Sequence, residues 1–284
     1  MGRYRKILVG VDGSDSSRNA FSQACKIVRD DKSWITAITV IPLYQDQIEV
    51  LSIKEKVARK LHEEGEKIIS GIEELARQED IFIRTRVEEG VPFQGIIDFA
   101  EDGGYDLIVV GRHGVTRFEK ALIGSVAARI IGHSSIDVLV VPGNSSVGWN
   151  SIVLATDGSR YSVAAADKAM DLAKSYNGNI KAVCSVDVTD EFLAQAPEMV
   201  ERMVREANGF TQAVKEKADA LNINIETFVR EGETFRVITD LAKQGNADVI
   251  VMGSHGRTGI RKILMGSVTE KVIGYAPCPV LIVR

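Results

Sequence analysis

Two stretches of this chain combine glycine, serine and basic residues in the same order. VGRHGVTRFEKALIGSV occupies residues 110–126, and MGSHGRTGIRKILMGSV occupies residues 252–268. Both contain the spacing G-x2-G-x9-G-S, formed by Gly111, Gly114, Gly124 and Ser125 and then by Gly253, Gly256, Gly266 and Ser267. Glycines let a ligand approach the backbone closely, and a helix that begins after the last glycine presents N–H groups to an anion. The pattern therefore predicts two phosphate-binding loops.

Basic side chains lie between these glycines although the whole chain carries a formal net charge of -4. They are Arg112, Arg117 and Lys120 in the first stretch and Arg257, Arg261 and Lys262 in the second. Local clusters of cations on an acidic protein fit a phosphate ligand better than nucleic acid, which needs a basic surface. His113 and His255 recur as well, but only four histidines are spread along the chain, so we expect them to brace the loop rather than bind metal.

An aspartate completes each constellation. Asp12 lies in VDGSD and Asp157 in TDGSR, each at the end of a short apolar run. These carboxylates are candidates to bind a ribose or Mg²⁺. A purely structural interpretation stays open for a single copy, because the aspartate can start a turn and Ser267 with Glu270 can form a capping box. Two copies that keep every element favour the ligand-binding interpretation.

The elements that position these residues repeat along the chain. KILVGVDGSDSS at residues 6–17 matches SIVLATDGSRYS at residues 151–162, and the similarity continues through both glycine loops. The sequence PGNSSVGWN separates the copies. We expect one domain over residues 1–143 and a second over residues 150–284.

Each copy alternates short apolar runs with longer amphipathic stretches. In the first copy the predicted strands are 5–11, 34–41, 81–88, 105–110 and 137–141, and the predicted helices lie near 15–30, 50–78, 92–102 and 118–132. This alternation predicts an α/β fold of two tandem doubly wound domains, each a five-stranded parallel sheet in the order 3-2-1-4-5 flanked by helices. A ligand then binds where the strand order reverses, between the carboxyl ends of strands 1 and 4.

Composition and missing motifs narrow the function. Hydrophobic residues make up 45% and charged residues 26% of the 284 residues, as in a globular protein without membrane spans. The sequence contains no G-x-G, no Gly-Lys pair and no G-x-S-x-G, which excludes the usual dinucleotide fingerprint, a Walker A loop and a nucleophile elbow. Three cysteines without a C-x-x-C pair and an N-terminus without a signal peptide predict a cytoplasmic chain with reduced thiols.

At these residues both halves resemble universal stress protein domains over nearly the whole chain. The glycine spacing with the strand-1 aspartate resembles the ATP-binding subclass of that family. The resemblance implies that the phosphates of ATP lie on the glycine loop and that the ribose lies near Asp12 and Gly111 or near Asp157 and Gly253. It implies that adenine lies against Val40 or Ser185.

The implied site extends beyond the glycines. Its further residues are Arg112, Val126, Ser254, Val268 and Thr269. The two copies depart from the family's pattern in different places: Arg112 replaces a serine, Ala127 replaces the hydroxyl of Thr269, and Ser185 replaces an apolar residue. Because Thr269 offers a hydroxyl at the helix start, we expect the C-terminal site to bind ATP more tightly.

We therefore expect an ATP-binding, stress-response regulatory protein with one site per domain, possible Mg²⁺ at Asp12 or Asp157, and little or no turnover. The alternative is a slow ATPase or a nucleotide-transferring enzyme on the same scaffold, and a third hypothesis is an interaction protein with vestigial sites. We expect no nucleic-acid or membrane partner. The apolar last strands predict an internal pseudo-dimer and allow a homodimer, with an unknown regulatory protein as partner.

Overall fold

The computed structural model describes residues 4–42, 51–114, 123–257 and 265–284. The chain divides into two compact units, Tyr4–Asn144 and Ser145–Arg284. Within the described residues, each unit consists of five parallel strands connected by helices, so the predicted α/β class is confirmed.

The first unit follows the predicted order of elements. Its strands and helices are β1 (Lys6–Gly10), α1 (Asp15–Asp31), β2 (Trp34–Pro42), α2 (Leu51–Gln78), β3 (Arg84–Gly90), α3 (Pro92–Asp102), β4 (Leu107–Gly111), α4 (Ser125–His133) and β5 (Asp137–Val141). Ser14 caps α1, and its side chain accepts a hydrogen bond from the backbone N–H of Ser17. A polar side chain at this position satisfies one of the N–H groups that a helix start leaves without a helical partner.

The second unit repeats this order with one addition. Its elements are β6 (Ser151–Ala155), α5 (Arg160–Tyr176), β7 (Asn179–Val186), α6 (Asp190–Gln195), α7 (Pro197–Ala220), β8 (Ile225–Glu231), α8 (Thr234–Gln244), β9 (Val249–Gly253), α9 (Ser267–Tyr275) and β10 (Val280–Val283). The short helix α6 and the helix α7 stand where the first unit has α2. Pro197 occupies the first turn of α7, where its missing N–H costs no helical hydrogen bond.

The strand order is β3-β2-β1-β4-β5 in the first unit and β8-β7-β6-β9-β10 in the second. This is the predicted order 3-2-1-4-5. Strand β1 pairs with both β2 and β4, and β6 pairs with both β7 and β9. The topological switch therefore lies beside the carboxyl ends of β1 and β6, where the strand-1 aspartates were predicted to lie.

Two predicted starts differ from the structure by three residues or more. Strand β3 begins at Arg84 rather than at residue 81, because the apolar residues before it belong to the connection; Phe82 is 99% exposed. Helix α4 begins at Ser125, and residues 118–122 of the predicted helix lie outside the described residues.

Burial follows the position of each strand in its sheet. Every residue of β5 is buried and β4 is buried up to its last residue, whereas β3 alternates between exposed and partly buried side chains. Runs of apolar residues without alternation are typical of strands that are covered on both faces. In the part of the chain that the structure describes, no helix is long and apolar enough to cross a membrane.

Candidate functional site

Each unit has a cavity at the predicted edge of its sheet, with a volume of about 330 Å³ in the first unit and about 530 Å³ in the second. Most predicted site residues line these cavities. In the N-terminal cavity they are Asp12, Val40, Gly111, Gly114, Gly124, Ser125 and Val126. In the C-terminal cavity they are Asp157, Ser185, Gly253, Gly256, Gly266, Ser267, Val268 and Thr269. The structure thus brings together residues that are more than 100 positions apart in sequence.

Each aspartate organises the turn that follows its strand. Asp12 Oδ1 accepts hydrogen bonds from the N–H of Ser14 at 3.0 Å and from its hydroxyl at 2.6 Å. Asp157 Oδ1 accepts one from the N–H of Ser159 at 3.0 Å. The intervening Gly13 has a φ of 81°, in the left-handed region that favours glycine. One oxygen of each carboxylate therefore stabilises a turn, as the purely structural interpretation of these aspartates predicts.

The other carboxylate oxygen faces the glycine loop. Asp157 Oδ2 accepts a hydrogen bond of 3.0 Å from the N–H of Arg257. A Cβ atom added at Gly256 would lie 2.8 Å from the same oxygen, and one added at Gly114 would lie 2.5 Å from Asp12 Oδ2. The second glycine of the motif therefore leaves room for the aspartate beside the loop.

The first glycine of the motif has a packing reason. A Cβ at Gly111 would lie 2.6 Å from Ser16 Oγ and 2.8 Å from the Ser16 carbonyl carbon. A Cβ at Gly253 would lie 2.6 Å from the Cβ of Tyr161. Real Cβ atoms are not found at such distances, so the start of helix α1 or α5 approaches the strand end only because a glycine is there.

The third glycine has no comparable reason within the described residues. Gly124 and Gly266 are the N-caps of α4 and α9, with φ and ψ of -65° and 145° and of -64° and 141°. Any L-residue adopts this backbone conformation. The nearest described atoms to an added Cβ lie 3.4 Å away at both positions, which is ordinary contact distance. The described neighbours therefore do not by themselves require a glycine at the helix start.

These two helix starts provide donors for an anion. Among the described residues, neither α4 nor α9 has a side-chain cap hydrogen bond. The proposed capping box of Ser267 with Glu270 is wrong, because Gly266 is the N-cap and Ser267 is the first helical residue. The N–H groups of the first turn lack carbonyl partners in their own helix, and the helix dipole favours negative charge there. A phosphate group fits this arrangement.

The hydroxyl of Thr269 has a different role from the one expected. Thr269 is 2% exposed, and its Oγ1 lies 3.4 Å from the carbonyl oxygen of Gly253 and 3.3 Å from that of Ser254. A hydroxyl has one proton to donate, and here it is directed to the strand end. The geometry therefore does not favour Thr269 as the source of tighter ATP binding.

Arg112 follows strand β4, and Ser254 follows strand β9. Neither residue is among those that line the described cavities. Ser254 is fully buried, and its Oγ lies 3.1 Å from Nδ1 of His255. The carbonyl of Arg112 accepts a hydrogen bond of 2.8 Å from the N–H of Gly124, which fixes the loop. The predicted cations Arg117, Lys120, Arg261 and Lys262 lie outside the described residues.

One face of the long helix forms a wall of each cavity, and sequence reasoning missed it. The lining residues are Leu61, Glu64, Gly65 and Ile68 on α2, and Met203, Glu206, Ala207 and Phe210 on α7. Both sets have the spacing i, i+3, i+4, i+7, which places them on one helix face. In both copies an acidic residue, Glu64 or Glu206, lies at the same position of a helix face that otherwise consists of apolar or small residues. This match in the sequence could have indicated the wall.

Arg257 connects the glycine loop to this wall in the second unit. Its Nη2 lies 2.5 Å from Glu206 Oε1, and its guanidinium carbon lies 5.1 Å from the centroid of the Phe210 ring. Burial and, to a smaller extent, the nearby carboxylate of Asp157 raise the pKa of the Cys184 thiol to about 11. Cys184 on β7 is therefore a protonated, apolar part of the cavity lining at neutral pH.

Asp12 and Asp157 are the residues that the sequence predicts as possible Mg²⁺ ligands. Within the described residues, no group of three or more His, Cys, Asp or Glu side chains can hold a metal ion. A hard cation such as Mg²⁺ commonly takes one or two protein carboxylates and completes its shell with phosphate and water. Asp12 and Asp157 can each supply one carboxylate in this way. The described residues do not form a metal site from protein ligands alone.

Comparison with known proteins gives a consistent result. The family model described as the universal stress protein family matches residues 3–142 and again residues 148–284. A universal stress protein of Methanocaldococcus jannaschii is 36% identical over 140 residues, which are 48% of this chain and 82% of that protein. One of Mycolicibacterium smegmatis is 27% identical over 293 residues, covering 98% of this chain and 96% of that protein. A solved universal stress protein from Archaeoglobus fulgidus has the same fold, with a TM-score of 0.75, 20% identity and coverage of 100% of this chain and 97% of its own.

Proposed function

Because this chain belongs to the universal stress protein family and contains its domain twice, we propose that it is a regulatory protein that binds one ATP in each half. The phosphates lie on the glycine loop and at the start of α4 or α9. The ribose lies beside Asp12 or Asp157, and the base lies toward β2 or β7.

The observation that carries this proposal is the third glycine of each motif. The backbone at Gly124 and Gly266 accepts any residue, and the described neighbours leave room for a Cβ. Both copies nevertheless have glycine there, over a helix start that has no side-chain cap among the described residues. A ligand that contacts the first-turn N–H groups explains both features, because a side chain would occupy its place.

We propose little or no turnover. One oxygen of each strand-1 aspartate holds a turn, and Asp157 uses its second oxygen on a backbone N–H. A slow ATPase stays the second candidate because of Glu64 and Glu206, which place a carboxylate at the same position of each cavity wall. Such a carboxylate is the type of group that activates a water molecule.

Titration of the full chain with ATP and Mg²⁺ in a calorimeter tests the proposal. We expect two equivalents to bind, and we expect the double variant Gly124→Val, Gly266→Val to remain folded and to lose this binding. A folded double variant that binds two equivalents normally would refute the assigned sites. Phosphate release at saturating ATP tests the enzyme alternative, and turnover of about 1 per second or faster would refute the proposal of little or no turnover.

Three further proposals concern how the two halves pack, how two chains associate and what nucleotide binding controls. We propose that the two halves form an internal pseudo-dimer through their last strands, that two chains can associate further, and that nucleotide binding controls contact with a regulatory protein in the cytoplasm. Solution scattering tests the first of these, because two independently tumbling halves would contradict it.

A further inference from the structure

The two cavities differ most at the end away from the glycine loop. In the first unit this end is formed by the carboxyl end of β2 and the start of α3. In the second unit it is formed by the carboxyl end of β7 and the start of α8. In the N-terminal cavity its lining residues are Val40, Pro42 and Pro92. In the C-terminal cavity the corresponding residues are Ser185, Asp187 and Thr234. Three apolar residues are thus replaced by two hydroxyls and a carboxylate.

This end is where the base of a bound nucleotide lies under the proposed function. Strand β7 pairs with β6, and β6 pairs with β9, so two strand spacings separate the end of β7 from the glycine loop after β9. Two spacings are about 10 Å. A nucleotide whose phosphates lie on the loop spans this distance with its ribose over β6, beside Asp157.

The polar cluster at this end of the C-terminal cavity consists of Ser185, Asp187 and Thr234, which line the same cavity. The hydroxyl of Ser185 donates to Oγ1 of Thr234 at 2.8 Å. Asp187 directly follows the last residue of β7, is exposed, and lines the same cavity. The cluster offers a carboxylate that accepts hydrogen bonds, and a threonine hydroxyl that can still donate one.

This combination matches one purine edge better than the other. A guanine presents two adjacent N–H donors beside a carbonyl acceptor, whereas an adenine presents one amino donor beside a ring nitrogen with a lone pair. A carboxylate accepts from both guanine donors, and it is repelled by the lone pair of adenine. Hydrogen bonds that include an ionised partner are also the stronger ones.

We propose that the C-terminal cavity also takes guanine nucleotides, and that Asp187 is the residue that confers this specificity. The inference rests on the proposed function, because it requires the phosphates on the glycine loop. The N-terminal cavity has Pro42 in place of Asp187, and the residues of β2 and α3 that are described as lining it include no carboxylate; the hydroxyl of Thr39 is a neutral acceptor. We expect the ratio of GTP affinity to ATP affinity to be at least tenfold higher in the C-terminal cavity.

The test uses full-length variants with one working cavity each. Gly124→Val keeps the C-terminal cavity and Gly266→Val keeps the N-terminal one, and each is titrated with ATP and with GTP. In the Gly124→Val background, Asp187→Asn is expected to lower GTP affinity at least tenfold and to change ATP affinity less than threefold. The matched control is Glu231→Gln, which removes an exposed carboxylate at the end of the neighbouring strand β8 and is expected to change neither.

The outcomes separate the two proposals. Equal GTP-to-ATP ratios in the two backgrounds, or a ratio that survives Asp187→Asn, overturn the specificity inference and leave nucleotide binding intact. Failure of both nucleotides to bind the wild-type chain overturns the proposed function and this inference with it. A higher ratio in Gly124→Val that disappears with Asp187→Asn supports both.

Discussion

Alanine at the first glycine of one motif should lower stability, whereas alanine at the third should lower ATP affinity and leave stability nearly unchanged. At Gly111 an added Cβ would lie 2.8 Å from the backbone carbonyl carbon of Ser16, so the start of α1 must move away from β4. Overpacking of this kind costs about 1–3 kcal/mol. For a unit of this size that corresponds to a melting temperature lower by roughly 2–10 °C.

At Gly124 the same substitution adds a Cβ no closer than 3.4 Å to the nearest described atoms. Alanine is a poorer N-cap than glycine by about 0.5–1 kcal/mol, but it lowers the entropy of the unfolded chain by about 0.4–1 kcal/mol. The two effects nearly cancel, so we expect the melting temperature to stay within about 2 °C of the wild type. The methyl group occupies space over the first-turn N–H groups, and loss of one hydrogen bond to phosphate costs about 1.5–3 kcal/mol, or roughly 10- to 150-fold in Kd.

Thermal unfolding and ATP titration of Gly111→Ala and Gly124→Ala measure both effects. Gly143→Ala is the control, since a Cβ there meets nothing within 4 Å and Gly143 does not line the described cavity. Wild-type stability of Gly111→Ala would show that the contact with Ser16 does not require glycine. Wild-type ATP affinity of a folded Gly124→Ala would refute the argument that a ligand requires the third glycine.

Three further predictions follow from the C-terminal unit. Glu206→Gln should raise the ATP affinity of the C-terminal cavity by up to about fivefold, because it releases Arg257 from its ion pair with Glu206. Both side chains of this pair are about half exposed, and such a pair is worth about 0–1 kcal/mol. Calorimetry in the Gly124→Val background measures the affinity, and weaker binding would mean that Glu206 positions Arg257. Burial raises the pKa of the Cys278 thiol to about 12, whereas an unfolded thiol ionises near pH 8.5. The folded chain then holds this proton to higher pH, so its stabilising effect is complete below about pH 8.5 and is lost as the pH rises toward 12; urea unfolding at pH 8 and pH 10 should show a smaller loss in Cys278→Ala than in the wild type. Ser185→Val should remove the hydrogen bond to Thr234 and lower GTP affinity in the same background, and a variant with unchanged GTP affinity would place the base elsewhere.

Most of the fold could be predicted from the sequence because its signals are local and occur twice. Buried parallel strands such as β4 and β5 are apolar without alternation, and each is followed or preceded by an amphipathic helix. The start of β3 could not be predicted, since Phe82 and its apolar neighbours have strand-like composition but form a connection. An edge strand is half exposed, so its composition does not distinguish it from a loop that precedes it.

The site could be predicted in part. Its glycines and aspartates have fixed spacing, and they are therefore visible in the sequence. The wall formed by α2 and α7 was missed, because lining residues of a helix follow the same i, i+3, i+4, i+7 spacing as ordinary core residues. The role of Thr269 was also beyond sequence reasoning, since a hydroxyl near a helix start can donate to a ligand or to a carbonyl. Only the distances of 3.3 Å and 3.4 Å to the two strand-end carbonyls distinguish these roles.

The two halves have kept one end of their cavities and changed the other. At the end where we propose that the phosphates bind, both retain three glycines, a helix start without a side-chain cap among the described residues, and an aspartate that meets the loop. At the base end Val40 and Pro42 correspond to Ser185 and Asp187. A cavity that had lost its ligand would have no reason to keep the third glycine, whose backbone and neighbours accept a side chain. The combination supports the proposal that each half binds a nucleotide by the same phosphate group and that the halves differ in the base they prefer.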